Sequence, residues 1–324
     1  MLLSLLAVAL GFVLLIWSAD RFVLGAAGLA RNLGVAPMII GLTIVGFGTS
    51  APELLVSTFA AWQGNTGLAI GNAVGSNITN IALILGVTAL LSPLNVRSQT
   101  LRRELPLLTL ISLGGLALLY DGTLSRWDGV LLLTGLLVLM AWLVKTGLSD
   151  RRTEDPLGAE FDAEIPAGLP TGRAVLWLVV GMVVLLGSSR MLVWGAVNIA
   201  QTLGVSDLVI GLTIVAIGTS LPELATSVMS ALKKEADIAI GNVIGSNMFN
   251  LLGVLALPGL IHPTGLPHEV LSRDYPVMLG LTVLLFAMAY GFRGPGRINR
   301  LEGLALLACF AGYQGLLFYS VAGA

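Results

Sequence analysis

Apolar residues run almost unbroken along this chain, in long stretches separated by short polar or charged breaks. A helix needs about 20 such residues to cross a bilayer. The breaks divide the chain into ten candidate spans, roughly 2–25, 36–62, 68–93, 104–121, 128–147, 174–200, 206–232, 238–260, 275–292 and 301–321. The strict polar–apolar alternation of outer-membrane barrel strands is missing from these runs. The pattern therefore predicts an all-α, polytopic membrane protein. The first run has neither a basic n-region nor a small-residue cleavage site, so it reads as a retained helix rather than a signal peptide.

Two phrases interrupt the apolar pattern, and both occur twice. GLTIVGFGTSAPELLVS begins at Gly41 and returns as GLTIVAIGTSLPELATS from Gly211, an offset of 170. GNAVGSNITN, Gly71–Asn80, returns at the same offset as GNVIGSNMFN, Gly241–Asn250. Two separate phrases holding one offset mark an internal duplication. Each copy carries five candidate spans, and an odd number inserts the second copy upside down. Inverted repeats of this kind are typical of secondary transporters, with substrate bound near the midplane where the repeats meet. The expected organisation is a first five-helix repeat over 1–148 (motif 41–80) and a second over 173–324 (motif 211–250). The polar, mostly acidic, Pro- and Gly-containing segment 149–172 joins them as a solvated linker.

The repeated phrases place polar chemistry at membrane depth. Pro52 cannot donate to the carbonyl of Gly48 and crowds it, and Pro222 stands in the same relation to Gly218. Each proline predicts a broken or kinked span with Thr49 and Ser50, or Thr219 and Ser220, beside the break. Carbonyls freed there need protein, water or an ion to satisfy them. One residue after each proline comes a glutamate, Glu53 or Glu223, and a charge at the bilayer centre costs roughly 2.5 kcal/mol or more. In the second phrase Asn72, Ser76 and Asn80 are four apart and share one helix face, as do Asn242, Ser246 and Asn250. Gly71 and Gly75 on the same helix permit close approach of a neighbouring backbone. Asn77 lies off that stripe and is expected to bond freed backbone in the kinked span or to act as a ligand, as is Asn247. The facing groups are all oxygen donors without His or Cys, a set suited to sodium or calcium rather than copper or zinc. Two ionised carboxylates balance one divalent or two monovalent cations, so calcium and sodium should compete.

Composition agrees with the pattern. The 324 residues are 56% hydrophobic and 11% charged, with mean hydropathy +0.92, whereas soluble domains carry about a quarter charged residues. Cys309 is the only cysteine, which excludes an intrachain disulfide and a cysteine metal cluster. His262 and His268 fall in a short loop and read as solvated. Basic residues set the orientation. With the N-terminus outside, thirteen fall in cytoplasmic segments (Arg31, Arg97, Arg102, Arg103, Lys145, Arg151, Arg152, Arg173, Lys233, Lys234, Arg293, Arg297 and Arg300), against Arg126 and Arg273 outside. Both termini are thus expected outside an inner or plasma membrane, with the linker cytoplasmic. Asp20, Arg21 and Arg190 lie within the first and sixth spans, where they could form state-dependent pairs or snorkel to the interface.

GTSAPE and GTSLPE, each followed by GNxxGSNxxN, closely resemble the alpha repeats of the cation/calcium antiporter superfamily, particularly prokaryotic sodium/calcium exchangers. The resemblance covers both halves. It implies ten transmembrane helices as two inverted five-helix repeats around one cluster of cation sites. Carried over by motif position, it implies coordination by the Gly46 carbonyl, Thr49, Ser50, Glu53, Ser76 and Asn80. In the second repeat it implies the Ala216 carbonyl, Thr219, Ser220, Glu223, Ser246 and Asn250. Some members, including potassium-dependent exchangers, have Asp where this chain has Asn250, which cannot ionise, so no potassium co-transport is expected. The expected function is sodium/calcium antiport by alternating access, with Ca2+, Na+ and the bilayer as partners. Neither a cofactor, a nucleic acid nor an obligatory protein partner is expected. About three sodium ions per calcium suits extrusion best. A proton/calcium antiporter is the alternative, since midplane glutamates can also carry H+. A passive channel or scaffold fits the duplication less well. An enzyme fits least, because no nucleophile–base pair or metal-ligand set is present.

Overall fold

A computed structural model describes residues 1–34, 40, 48–96, 98–149, 168–290 and 296–322. Gly46, most of the first half of the first repeated phrase, and residues 150–167 of the expected linker lie outside the described residues. The described chain is mostly helical, as its apolar runs require. Its elements are α1 (Leu2–Asn32), α2 (Ala51–Trp62), α3 (Thr66–Ile78), α4 (Leu85–Leu91), β1 (Leu94–Val96), α5 (Gln99–Leu119), β2 (Thr123–Leu124) and α6 (Arg126–Ser149). They continue with α7 (Thr171–Leu203), α8 (Asp207–Ile210), α9 (Ala216–Thr219), α10 (Leu221–Leu232), α11 (Ala236–Phe249) and α12 (Ala256–Ile261). The last are β3 (Thr264–Gly265), α13 (Tyr275–Ala289), β4 (Gly296–Ile298) and α14 (Arg300–Ala322). Wider π-type turns link α3 to α4 (Thr79–Ile84), α8 to α9 (Gly211–Val215) and α11 to α12 (Asn250–Val254). Another precedes α13 (Val270–Asp274).

Among the described residues seven helices could cross a membrane by length and composition, and eight when the bent α8–α10 pair counts as one span. The other two expected spans differ for visible reasons. α5 is long enough, but its first turns carry Arg102, Arg103 and Glu104. The 36–62 run is described continuously only from Gly48. The first and sixth expected spans are longer than their apolar cores suggest, at 31 and 33 residues. At 1.5 Å per residue each helix is about 45–50 Å long, so it tilts or projects beyond the hydrocarbon.

Burial separates inner from outer helices. The spans Thr66–Leu91 and Ala236–Ile261, which hold the GSN phrases, are 78% and 72% buried, against 22% for Arg300–Ser320. α1 and α7 pack antiparallel through their glycines. Gly25 abuts Ala174 and Leu178, Gly181 abuts Phe22, and Gly195 abuts Ser4 and Val8. Two short antiparallel ribbons close the bundle, one pairing Leu94 with Ile298 and the other pairing Thr123 with Gly265. Exposed Trp62, Tyr120, Trp127, Phe318 and Tyr319 lie at the helix ends on the β2–β3 side, the usual place for interfacial aromatics.

The close approach expected at Gly71 and Gly75 is present. A Cβ on Gly71 would lie 3.0 Å from the Cα of Gly211, and one on Gly75 would lie 2.8 Å from the Cα of Leu212. Gly71→Ala should therefore cost about 1–3 kcal/mol through overpacking, read as a lower thermal midpoint in detergent. Gly114→Ala, with nothing within 4 Å, should leave the midpoint unchanged or raise it.

Candidate functional site

The two prolines begin helices. Pro52 and Pro222 occupy the first turns of α2 and α10, where a helix has no intrahelical partner for an N–H. The preceding serines have nearly identical backbone angles, φ −87° and ψ 7° at Ser50, φ −82° and ψ 6° at Ser220. At Ser220 the axis bends by 42°. Each break sets a glutamate into a first turn, Glu53 in α2 and Glu223 in α10, where the unpaired N–H groups favour negative charge. Both glutamates have no exposed surface.

The copies are bonded crosswise. The Ser50 hydroxyl donates to Glu223 Oε1 (3.0 Å), and the Ser220 hydroxyl donates to Glu53 Oε1 (3.2 Å). The Thr49 hydroxyl donates to Asn242 Oδ1 (3.3 Å), and the Thr219 hydroxyl donates to Asn72 Oδ1 (3.1 Å). Asn72 Nδ2 donates to the Glu53 carbonyl (3.1 Å) and Ser57 Oγ (2.9 Å). Asn242 Nδ2 repeats this on the Glu223 carbonyl (3.2 Å) and Ser227 Oγ (3.1 Å). Each of these bonds thus has its counterpart 170 residues away, and those donated by the Thr49, Ser50, Thr219 and Ser220 hydroxyls cross between copies.

One set of oxygens is left over. Glu53 Oε2, Glu223 Oε2, Ser76 Oγ, Asn80 Oδ1 and Asn250 Oδ1 are buried and take part in no hydrogen bond among the described residues. Asn77 Oδ1, Thr79 Oγ1 and Asn250 Nδ2 share that condition. A buried polar group without a partner costs about 1–3 kcal/mol, more when charged. Leaving several so, an oxygen of each carboxylate included, is costly unless a bound cation satisfies them. The chemistry is that of a hard cation, because these carboxylate, amide and hydroxyl groups offer oxygen alone. No group of three or more His, Cys, Asp or Glu side chains occurs among the described residues, and His262 and His268 are exposed.

Of the expected site residues, hydrogen bonds join Thr49, Ser50, Glu53, Ala216, Thr219, Ser220, Glu223 and Ser246 around these two breaks. Ser76, Asn80 and Asn250 are buried on the GSN helices, and Gly46 lies outside the described residues. Ser246 donates to Glu223 Oε1 (3.3 Å). The Ala216 carbonyl accepts the Ser220 N–H (3.2 Å) and the Thr219 hydroxyl (3.4 Å). Asn77 departs from its expectation as a partner of the kinked span. Its amide donates to the Asn247 carbonyl (3.3 Å) and approaches Met278 Sδ (3.5 Å), while Asn247 Nδ2 reaches the Asn77 carbonyl (3.5 Å). The helices of the two GSN phrases cross there, so each off-stripe asparagine meets the other helix. The backbone contact expected of Asn77 is made by Asn72. Sequence reasoning placed Asn72 and Asn242 on the polar stripe but not among the site residues; their spacing from the glutamates, 19 residues in both copies, was the available signal. Asn247 was likewise missed as the acceptor for Asn80 Nδ2 (3.0 Å).

A cavity of about 550 Å³ reaches Thr49 and Pro222 between α1 and α10, lined also by Trp17, Asp20, Val23 and Thr226. Asp20 pairs with its neighbour Arg21 (3.5 Å), whose guanidinium lies 5.1 Å from the Trp177 ring. Arg190 is exposed.

The sodium/calcium exchanger protein family matches residues 3–145 and 173–319. The chain is 52% identical over 320 residues to a putative antiporter, CaxA, of Alkalimonas amylolytica, covering 99% of this chain and 100% of that one. It is 32% identical to the sodium/calcium exchanger MaX1 of Methanosarcina acetivorans, covering 98% and 99%. Its structure superposes on that of the sodium-calcium exchanger NCX_Mj soaked with Na+ and Sr2+ with a TM-score of 0.67, at 33% identity, covering 96% and 97%.

Removing the asparagine amide should uncouple this lattice. Asn72→Ala leaves the Glu53 carbonyl and the Ser57 and Thr219 hydroxyls short of a partner. At about 1–3 kcal/mol per buried group, the thermal midpoint should fall by several degrees, measured at a fixed calcium concentration. Asn242→Ala should lower it by a similar amount, because its bonds are equivalent.

Proposed function

Since the chain belongs to the sodium/calcium exchanger family of the cation/calcium antiporter superfamily, we propose that it exchanges sodium for calcium by alternating access. The observation that carries this reading is the pair of fully buried glutamates, bonded crosswise by Ser50 and Ser220, whose second oxygens have no partner among the described residues. A calcium ion between Glu53 and Glu223 would balance both charges. Sodium ions would take the same oxygens in turn, which couples release of one ion to binding of the other. Thr49, Ser50, Thr219, Ser220 and Ser246 each spend their one proton on a neighbour and keep lone pairs for a cation. The Gly46 and Ala216 carbonyls complete the proposed set.

The fold is proposed to be two inverted five-helix repeats, ten spans in all, with halves 1–148 and 173–324. Two observations support inversion. α1 and α7 begin the two halves, yet they pack antiparallel. β1 and β2 flank α5 at its opposite ends, and β1 pairs with β4, which follows α13 as β2 follows α5. Equivalent ends of the halves therefore point in opposite directions. Both termini are proposed to lie outside and segment 149–172 in the cytoplasm, a reading the basic-residue distribution supports. α1 and α7 carry none of the cation phrases and meet along glycines, which suits them to slide as a pair.

Asn250 limits the site to two carboxylate charges, so transport is proposed to be potassium-independent. Three sodium ions per calcium is the proposed stoichiometry. A tenfold sodium gradient then supplies roughly 4 kcal/mol, and one net charge at 100 mV adds about 2.3 kcal/mol. Two sodium ions would supply only the smaller concentration part and no charge movement.

In proteoliposomes an outward sodium gradient should drive calcium-45 uptake, unchanged when potassium is removed. Glu53→Gln and Glu223→Gln should each lower uptake at least 100-fold while the protein remains monodisperse in detergent. Uptake driven by a pH gradient alone, with none under a sodium gradient, would overturn the sodium reading in favour of proton/calcium exchange.

A further inference from the structure

α5 and α6 are joined by a short turn yet stand apart along part of their length. Pro106 lies inside α5 and removes the N–H that would bond the Arg102 carbonyl, loosening the helix there. Opposite it, Gly135 of α6 contributes no side chain. Between them lies a groove of about 460 Å³ walled by Leu107, Leu110, Ile111, Val138 and Leu139 and floored by Leu252. Leu110 and Val138 are each 64% exposed, so the groove opens sideways into the space the bilayer fills in a membrane-spanning chain.

The groove is apolar except at one end. Arg103 lines it there, exposed, beside Trp142. Lys145, one turn beyond Trp142 on α6, is exposed as well. Arg103 and Trp142 lie 16–17 residues from the Tyr120–Arg126 connection, about 25 Å along the helices. The hydrocarbon is about 30 Å thick, and exposed Tyr120 and Trp127 mark its other edge. Arg103 is thus at headgroup depth while the groove extends into the acyl region. A guanidinium presents a planar fork matched to phosphate oxygens, and tryptophan is favoured at that depth.

We propose that this groove binds an anionic phospholipid, with one acyl chain against Leu107, Leu110 and Val138 and the phosphate on Arg103. Charge and shape together select this occupant. A zwitterionic lipid has the same chains but carries its own cation, and a free phosphate has no use for the apolar walls. The site is separate from the glutamates and does not depend on which ions the protein moves. It meets the segment that begins at Asn250 at one place. The floor residue Leu252 lies in the π-type segment that starts at Asn250, and a Cβ on Gly135 would sit 3.1 Å from its Cδ2. Occupancy should therefore tune the segment carrying Asn250.

Native mass spectrometry of the detergent-purified full chain tests this, using phosphatidylglycerol and phosphatidylcholine with identical chains. The expected result is one retained phosphatidylglycerol per chain, bound at least tenfold more tightly than phosphatidylcholine. Arg103→Gln should bring the two lipids to equal affinity, Arg103→Lys should restore part of the difference, and Leu110→Trp should weaken both. Each variant should keep the thermal midpoint of the wild type. Equal affinities in the wild type, or a preference that survives Arg103→Gln, would overturn the proposal. So would equal binding of soluble glycerol phosphate, which would assign Arg103 to free phosphate. A dimer that excludes lipid would overturn it too, assigning the groove to a second copy.

Discussion

Two glutamates with no exposed surface, inside a bundle that crosses a membrane, set the terms for the rest of the structure. Removing a carboxylate from water costs several kcal/mol unless hydrogen bonds and a counter-charge replace its hydration. The surroundings supply part of this. Each glutamate stands in the first turn of a helix, and each accepts a serine hydroxyl from the other copy. Neither forms an ion pair with a basic residue among the described residues, and one oxygen of each has no hydrogen bond there. The remaining charge matches that of a cation, as the proposed exchange requires.

Holding these charges in register falls to residues that carry no charge. Asn72 and Asn242 tie the carbonyls of the glutamates to Ser57 and Ser227, whose hydroxyls reach the next helices at the carbonyls of Ala69 and Ala239. Their own carbonyl oxygens receive the threonine hydroxyls from the opposite copy. The two breaks are thereby bonded to each other, which is what the proposed site shared by two halves needs. The same crosswise logic recurs where Asn77 and Asn247 exchange amide-to-carbonyl bonds.

Much of this was legible in the sequence because it rests on local rules. Helical spans follow from apolar run length, the breaks from Pro52 and Pro222, and the close approach at Gly71 from small residues four apart. The crosswise bonds were not legible, because they join residues about 150 to 190 positions apart that only the fold brings together. The π-type turns at Thr79–Ile84 and Asn250–Val254 were hidden for another reason. Their sequences read as ordinary apolar helix, and apolar periodicity does not distinguish a single wider turn from an α-helical one. Asn77 was misjudged for the same cause, since a helical stripe gives a residue's face but not the helix it meets. α5 shows the limit of composition, as its charged first turns belong to a helix of full span length.

The central claim is that one cation is held between the two glutamates, and diffraction can locate it. Crystals soaked in Sr2+ in place of Ca2+ would give an anomalous peak at the metal. The account predicts a peak within coordination distance of both Glu53 Oε2 and Glu223 Oε2, roughly 2.3–2.6 Å for a calcium-like ion, reduced by added sodium. A strong peak elsewhere, with none between these oxygens, would contradict it.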